Sequence, residues 1–231
     1  MSELHDVEWT TEKVTEFWDN LSGRSPESYF SAMVAPALAS WIARRAHPGK
    51  LVVDLGCGGG HLLAELANRG YQPFGVDSSP DSVRIAGRRI GEKNVALGSV
   101  TAIPLESAVA QGLLLVETIE HVLDDDLEPM MAEIRRVLAP GWPLVVSTPN
   151  REDLDAASVV CPNCDARFHP MQHVRSWTAE SLDAFLSQHG FGRVRTFETR
   201  LPAGRGLAAA ARRMLYRARG DRSHLLAIAR T

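Results

Sequence analysis

The chain has 231 residues, 25 basic and 28 acidic, with a formal charge of −3. That length suits one domain with a sizeable core, and the charge provides no global basic field of the kind that argues for a nucleic-acid partner. No apolar run approaches membrane-spanning length, the N-terminus is acidic and amphipathic rather than signal-like, and three cysteines (Cys57, Cys161, Cys164) do not make a disulfide framework; a cytoplasmic protein with no membrane partner is expected.

Residues 1–46 read as an N-terminal helical cap. Trp9, Val14, Phe17, Trp18 and Leu21 share one apolar face. Tyr29, Phe30, Met33, Val34, Leu38, Trp41 and Ile42 mark a second helix or pair of helices, with a break expected at Pro36. The main domain, 47–231, opens after the turn His47-Pro48-Gly49-Lys50.

Leu51-Val52-Val53-Asp54-Leu55 is an apolar run of the kind found in buried parallel strands. It breaks into Gly56-Cys57-Gly58-Gly59-Gly60 and resumes as a helix from His61 that Gly70 closes. Strand, glycine turn and helix form the front half of a nucleotide-binding βαβ unit, in which glycine lets a ligand approach the backbone closely. A second strand, Pro73-Phe74-Gly75-Val76, ends in Asp77, an acid placed to accept hydrogen bonds from ribose hydroxyls. The carboxylate of Asp54 precedes the glycines, which disfavours a pyrophosphate and favours a ligand with a cationic amino group.

Ser78-Ser79-Pro80-Asp81 starts the next helix, which runs to about Ile90. Short strands follow at 94–98 and 112–116, then a helix from Asp124-Asp125-Asp126 that Pro140-Gly141 ends, and a strand at 144–147. Residues 155–176 break the pattern. Regular structure resumes with a helix after Thr178, a strand over 191–199, an alanine- and arginine-rich segment at 201–222 and a last apolar strand over 223–229. The order predicts an α/β, doubly wound, seven-stranded and mostly parallel sheet of Rossmann-like type, with the last strand antiparallel.

At this point the chain resembles the class I S-adenosylmethionine-dependent methyltransferases. The residues that carry the likeness are Asp54-Leu55-Gly56-Cys57-Gly58-Gly59-Gly60, Val76-Asp77, Gly98-Ser99-Val100, Glu117-Thr118-Ile119-Glu120-His121-Val122 and Ala139-Pro140-Gly141-Trp142-Pro143. The resemblance implies S-adenosylmethionine as methyl donor and S-adenosylhomocysteine as product. It implies a donor site at Asp54, Gly56, Cys57, Gly58, Asp77, Ser78, Ser99, Val100 and Glu117, and it favours a lid role for the N-terminal cap. Relatives often carry an acid at Ser99 that contacts the adenine amino group, and this chain does not.

Two metal constellations stand out. Cys161-x2-Cys164-x4-His169-x3-His173 has the spacing of a compact zinc knuckle, so a structural zinc is expected to fold the 155–176 insertion. Glu117-x2-Glu120-His121 is similar to a motif of the ubiquinone-pathway O-methyltransferases and the small-RNA 2′-O-methyltransferases. There it implies a divalent ion, Mg or Mn, held with a downstream histidine that His173 matches, so both sites claim His173. His121 and Glu120 are the expected catalytic residues, His121 as a general base. The expected reaction is methyl transfer to an oxygen or nitrogen of a small-molecule acceptor; the alternative is metal-assisted RNA 2′-O-methylation, supported by the arginines at 205, 212, 213, 217, 219 and 222.

Overall fold

The computed structural model describes residues 4–24, 29–204 and 206–231. Arg205 and the side chain of Arg217, both in the arginine-rich segment, lie outside the described residues. Strand β1 (His5–Asp6) and helices α1 (Thr11–Arg24) and α2 (Phe30–Arg45) precede β2 (Leu51–Leu55), α3 (His61–Ala67), β3 (Gln72–Asp77), α4 (Pro80–Ile90) and β4 (Val95–Leu97). Then come β5 (Leu113–Val116), α5 (Asp124–Val137), β6 (Leu144–Pro149), α6 (Leu154–Ala157), β7 (Val159–Val160) and β8 (Ala166–Phe168). The chain ends with α7 (Ala179–Gln188), β9 (Arg193–Thr199), α8 (Gly206–Ala218) and β10 (His224–Arg230).

Seven strands make one sheet in the order β4-β3-β2-β5-β6-β10-β9. The first five are parallel, and β10 runs antiparallel to both β6 and β9, as expected for the last strand. Side chains alternate across a pleated strand. Val53, Leu55, Leu113 and Leu115 therefore pack with Met130, Ile134, Leu182 and Phe191 on one face. Val52, Leu114, Val145 and Leu226 face the other way and pack with Leu38, Ile42, Leu62 and Leu66.

That second face divides the N-terminal region. Helix α2 is part of the core, with Leu38, Ala39 and Ile42 fully buried, so α1 is the element left to act as a cap. The break expected at Pro36 does not occur, and α2 is continuous through it. Ser40 Oγ and Arg69 Nη2 bond the Pro36 carbonyl at 2.8 and 3.2 Å, and the packed face holds the helix together where one backbone donor is missing. The 155–176 region forms a small second sheet, β1-β8-β7, that recruits residues 5–6.

Candidate active site

A cavity of about 500 Å³ opens at the carboxyl ends of β2, β3, β5 and β6, where ligands bind in open α/β sheets. Gly56, Gly58, Asp77, Ser78, Ser99, Val100, Glu117 and His121 line it, which brings together most of the expected donor residues. At Gly56 (φ 74°) a Cβ would lie 2.7 Å from Thr118 Oγ1, and at Gly58 (φ 50°) 3.3 Å from the Tyr29 ring. Both backbones are left-handed and closely covered, so glycine is required. Cys57 departs from expectation. It is buried and absent from the cavity lining, and its thiol packs against Gly75, where a Cβ would lie 2.6 Å from Sγ. The Cys57 thiol thus goes to the core, while the backbones of Gly56 and Gly58 line the ligand space.

The two acids differ. Asp77 Oδ2 accepts a bond from Gly58 N–H at 2.8 Å, and Oδ1 accepts one from Ser79 N–H at 2.9 Å. These bonds fix its carboxylate at the cavity wall. Asp54 is buried behind the cavity lining, like Cys57, and its Oδ1 has no hydrogen-bond partner. Burial, with the nearby Asp77 charge, pushes its pKa up to about 8. An orphaned buried carboxylate is the complement of an ammonium group, so these residues fit the amino-acid end and the sugar of the donor. Ser99 Oγ is 2.8 Å from Thr101 Oγ1 and accepts the Thr101 N–H at 3.1 Å, so it is engaged within its own turn.

Helix α1 lies across the opening. Asp19 Oδ1 accepts bonds from Ser79 Oγ (2.8 Å) and Asp81 N–H (2.9 Å), pinning α1 to the start of α4. Trp18 stacks on Tyr29 at 5.8 Å, meets His121 edge-on at 4.7 Å and donates Nε1–H to Gln172 Oε1 at 3.0 Å. Thr11, Val14, Thr15 and Trp18 form the roof of the cavity.

The far wall is a cluster of carboxylates and imidazoles. Ligand atoms of Glu120, His121 and His173 lie within 4.8 Å of one another, as do those of Glu152, His169 and His173. Glu120 is buried and neither carboxylate oxygen has a hydrogen-bond partner. Burial and the neighbouring Glu117 push its pKa up. Glu117 stands apart from the metal trio: its backbone is left-handed (φ 49°), Oε1 accepts Ser147 Oγ–H at 2.7 Å, and Oε2 is 3.8 Å from His224 Nε2. Burial raises its pKa to about 7. Burial, then His173, drives the His121 pKa down to about 3. The ring is held in its neutral form, in which it can ligate a metal or accept a proton.

Hydrogen bonds assign the tautomers of the other two histidines. His169 Nδ1 accepts backbone N–H bonds from Met171 (3.2 Å) and His173 (3.3 Å). Its proton is therefore on Nε2, which faces Glu152 Oε1 at 3.4 Å. His173 Nδ1 bonds Glu152 Oε2, which leaves Nε2 of His173 with a lone pair.

The expected zinc quartet is not assembled. Cys161 and Cys164 sit in the β7–β8 turn, and among the described residues no cluster of three metal-ligating side chains includes either. The Cys161 thiol is held below its usual pKa by the backbone N–H groups of Asn163 and Cys164 and by the Cys164 thiol. His169 has no lone pair left for a metal, and His173 turns toward Glu152 and His121. Two residues of the site had no sequence signal: one behind the cavity wall at His173 and one on the wall itself. Glu152 belongs to no motif, and His224, stacked on Phe30 at 4.6 Å, opens an otherwise apolar strand.

Residues 53–146 match the model of a methyltransferase domain family. The chain is 30% identical over 154 residues to the ubiquinone biosynthesis O-methyltransferase of Burkholderia pseudomallei (strain 1710b), covering 64% of this chain and 63% of that protein. It spans less than two thirds of the length of the first curated relatives it matches, 38% in one case. A possible histamine N-methyltransferase from Thermotoga maritima superposes with a TM-score of 0.66 at 17% identity, covering 93% of this chain and 98% of that one. The 1,6-didemethyltoxoflavin-N1-methyltransferase of Burkholderia thailandensis, solved with 1,6-didemethyltoxoflavin and S-adenosylhomocysteine, gives a TM-score of 0.63 at 18% identity over 98% of this chain and 92% of that one. These superpositions show that the chain shares its fold with S-adenosylmethionine-dependent methyltransferases.

Proposed function

We propose that the protein transfers the methyl group of S-adenosylmethionine to an oxygen or nitrogen of a small-molecule acceptor. The observation that carries this is the buried, unpaired Asp54 Oδ1 beside Asp77 and the Gly56–Gly58 turn. When bound, the donor supplies an activated methyl on a sulfonium. The chain then needs chiefly to hold the acceptor in line and to exclude water. Asp54 seats the donor amine, Asp77 its ribose, and Ser78, Ser99, Val100 and Glu117 line the rest of its site. Trp18, Tyr29, Phe30 and Met33 give the acceptor end an apolar roof.

Glu120, His121 and His173 are a fitting donor set for one divalent ion, because both Glu120 carboxyl oxygens are buried without a hydrogen-bond partner and a cation beside them would favour the ionised form. A magnesium- or manganese-type ion there would supply a Lewis acid beside the acceptor. This reading assigns His173 to that cluster rather than to zinc, and replaces Glu117 by His173 in the trio. The same cluster is what the RNA 2′-O-methylation alternative rests on; the roofed, mostly apolar cavity favours a small acceptor. A cytoplasmic location completes the reading; among the described residues no helix is long and apolar enough to cross a membrane. The test is conversion of S-adenosylmethionine to S-adenosylhomocysteine on incubation with phenolic and amine acceptor panels, with and without added magnesium, against single-stranded RNA. Turnover only with RNA would replace the small-molecule reading by its alternative.

A further inference from the structure

Helix α8 is built the wrong way round for a helix of a globular domain. Such helices turn their apolar stripe to the core. Here Leu207, Ala211, Met214 and Ala218 recur at helical spacing, with Leu215 beside them. Leu207 is 91% exposed, Met214 74% and Leu215 45%. The side that meets the body holds Ala209, which is buried, and Tyr216, over whose ring the Arg200 guanidinium lies at 4.7 Å. The apolar face therefore points outward.

Cations surround that face. The segment 201–223 has six arginines and one acid, Asp221, and Asp221 is already paired with Arg200. Arg212 reaches back to the Ala203 carbonyl at 2.8 Å, Arg219 is exposed just beyond the helix, and Arg222 is paired with Glu198 at 3.3 Å. The helix also stands at the mouth of the cavity. Gly204 N–H bonds the Met33 carbonyl at 3.1 Å, and Met33 is both half-exposed and part of the cavity lining.

We propose that α8 is an in-plane anchor that lays this mouth against an anionic phospholipid surface. An outward apolar stripe flanked by arginines is the pattern that sits at the boundary between head groups and acyl chains. The apolar residues enter the boundary and the arginines meet lipid phosphates. The expectation of no membrane partner rested on the lack of a spanning segment; an anchor lies flat and needs none. A second copy is the poorer occupant, since face-to-face pairing would bring two sets of arginines together. RNA would engage the arginines and leave Leu207 and Met214 in water. The inference stands on α8 and is independent of which acceptor is methylated.

The full chain is tested by flotation with phosphatidylcholine vesicles, alone and with about one third phosphatidylglycerol. Two variants accompany it, Leu207→Ser/Met214→Gln and Arg212→Gln/Arg213→Gln/Arg219→Gln, with circular dichroism melts to show that each is folded. The wild type is expected to float with anionic vesicles only and to be released at high salt. The arginine variant should lose roughly a hundredfold in partitioning, and the apolar variant should also be released. Equal flotation with both vesicle types overturns the proposal, as does either folded variant floating like the wild type. It is equally overturned by no flotation at all, including where the chain instead dimerises through α8 or retains RNA.

Discussion

The Glu152 carboxylate accepts a hydrogen bond from His173 Nδ1 while its other oxygen faces His169 Nε2 at 3.4 Å. Burial pushes the Glu152 pKa up, but the bond from His173 and the two imidazoles outweigh it and hold it below the usual range. An ionised carboxylate on Nδ1 fixes the tautomer of a ligating histidine and makes its Nε2 a better donor. Glu152→Ala is expected to weaken Co(II) or Mn(II) binding by about 10- to 100-fold, and Glu152→Gln, which can still accept the bond, by less. Metal titration followed by absorption or magnetic resonance reads this directly. Equal affinities for all three proteins would remove Glu152 from the site.

The same geometry separates the two metal hypotheses. His173→Ala should abolish stoichiometric divalent-ion binding, and Cys161→Ser should leave it unchanged, because the cysteines share no cluster with His169 or His173. Elemental analysis of the purified proteins decides between them. One zinc per chain that disappears in Cys161→Ser would restore the four-ligand knuckle.

Asp54 gives a pH dependence of defined sign. Its folded pKa of about 8 lies above the usual carboxylate value, so between roughly pH 4 and 8 the donor-free fold holds a proton that the unfolded chain has released. Stability from this group is full below that window and is lost as pH rises through it. Asp54→Asn should flatten this decline in a melting-temperature series. An ammonium group beside Asp54 favours the ionised form, so binding S-adenosylhomocysteine near pH 6.5 should release a proton. Calorimetry in two buffers of different ionisation enthalpy measures that proton; identical heats in both would show that Asp54 does not meet the amine.

The roof is held by Asp19, whose carboxylate caps the first turn of α4 from another helix. Asp19→Ala removes bonds worth about 1 kcal/mol as a cap. It should loosen α1, weaken donor binding several-fold in calorimetry and make α1 itself more susceptible to protease. Unchanged affinity and digestion would show that α1 is not needed to close the cavity.

Much of this was legible in the sequence because it depends on local chemistry. The apolar run to Leu55, the glycines after it and the acid at Asp77 specify strand, turn and strand regardless of tertiary detail, and β10 shows its antiparallel role by following β9 at the sheet edge. What was not legible depends on direction. Cys57 stands among ligand-facing glycines, but its thiol points at Gly75. The spacing of Cys161, Cys164, His169 and His173 counts ligands without showing that the His169 lone pair is taken by backbone N–H groups. Pro36 marks a lost donor, but the packing that keeps α2 intact is non-local. Periodicity in α8 reveals an apolar face and not that it looks outward.

Titrating S-adenosylhomocysteine into the wild type and into Asp77→Ala by calorimetry bears most directly on the central claim. The wild type should bind one equivalent with saturable heat, and Asp77→Ala should bind at least tenfold more weakly once the ribose loses its acceptor. No heat from the wild type at millimolar product, or the same dissociation constant for both proteins, would contradict a donor site built on this turn.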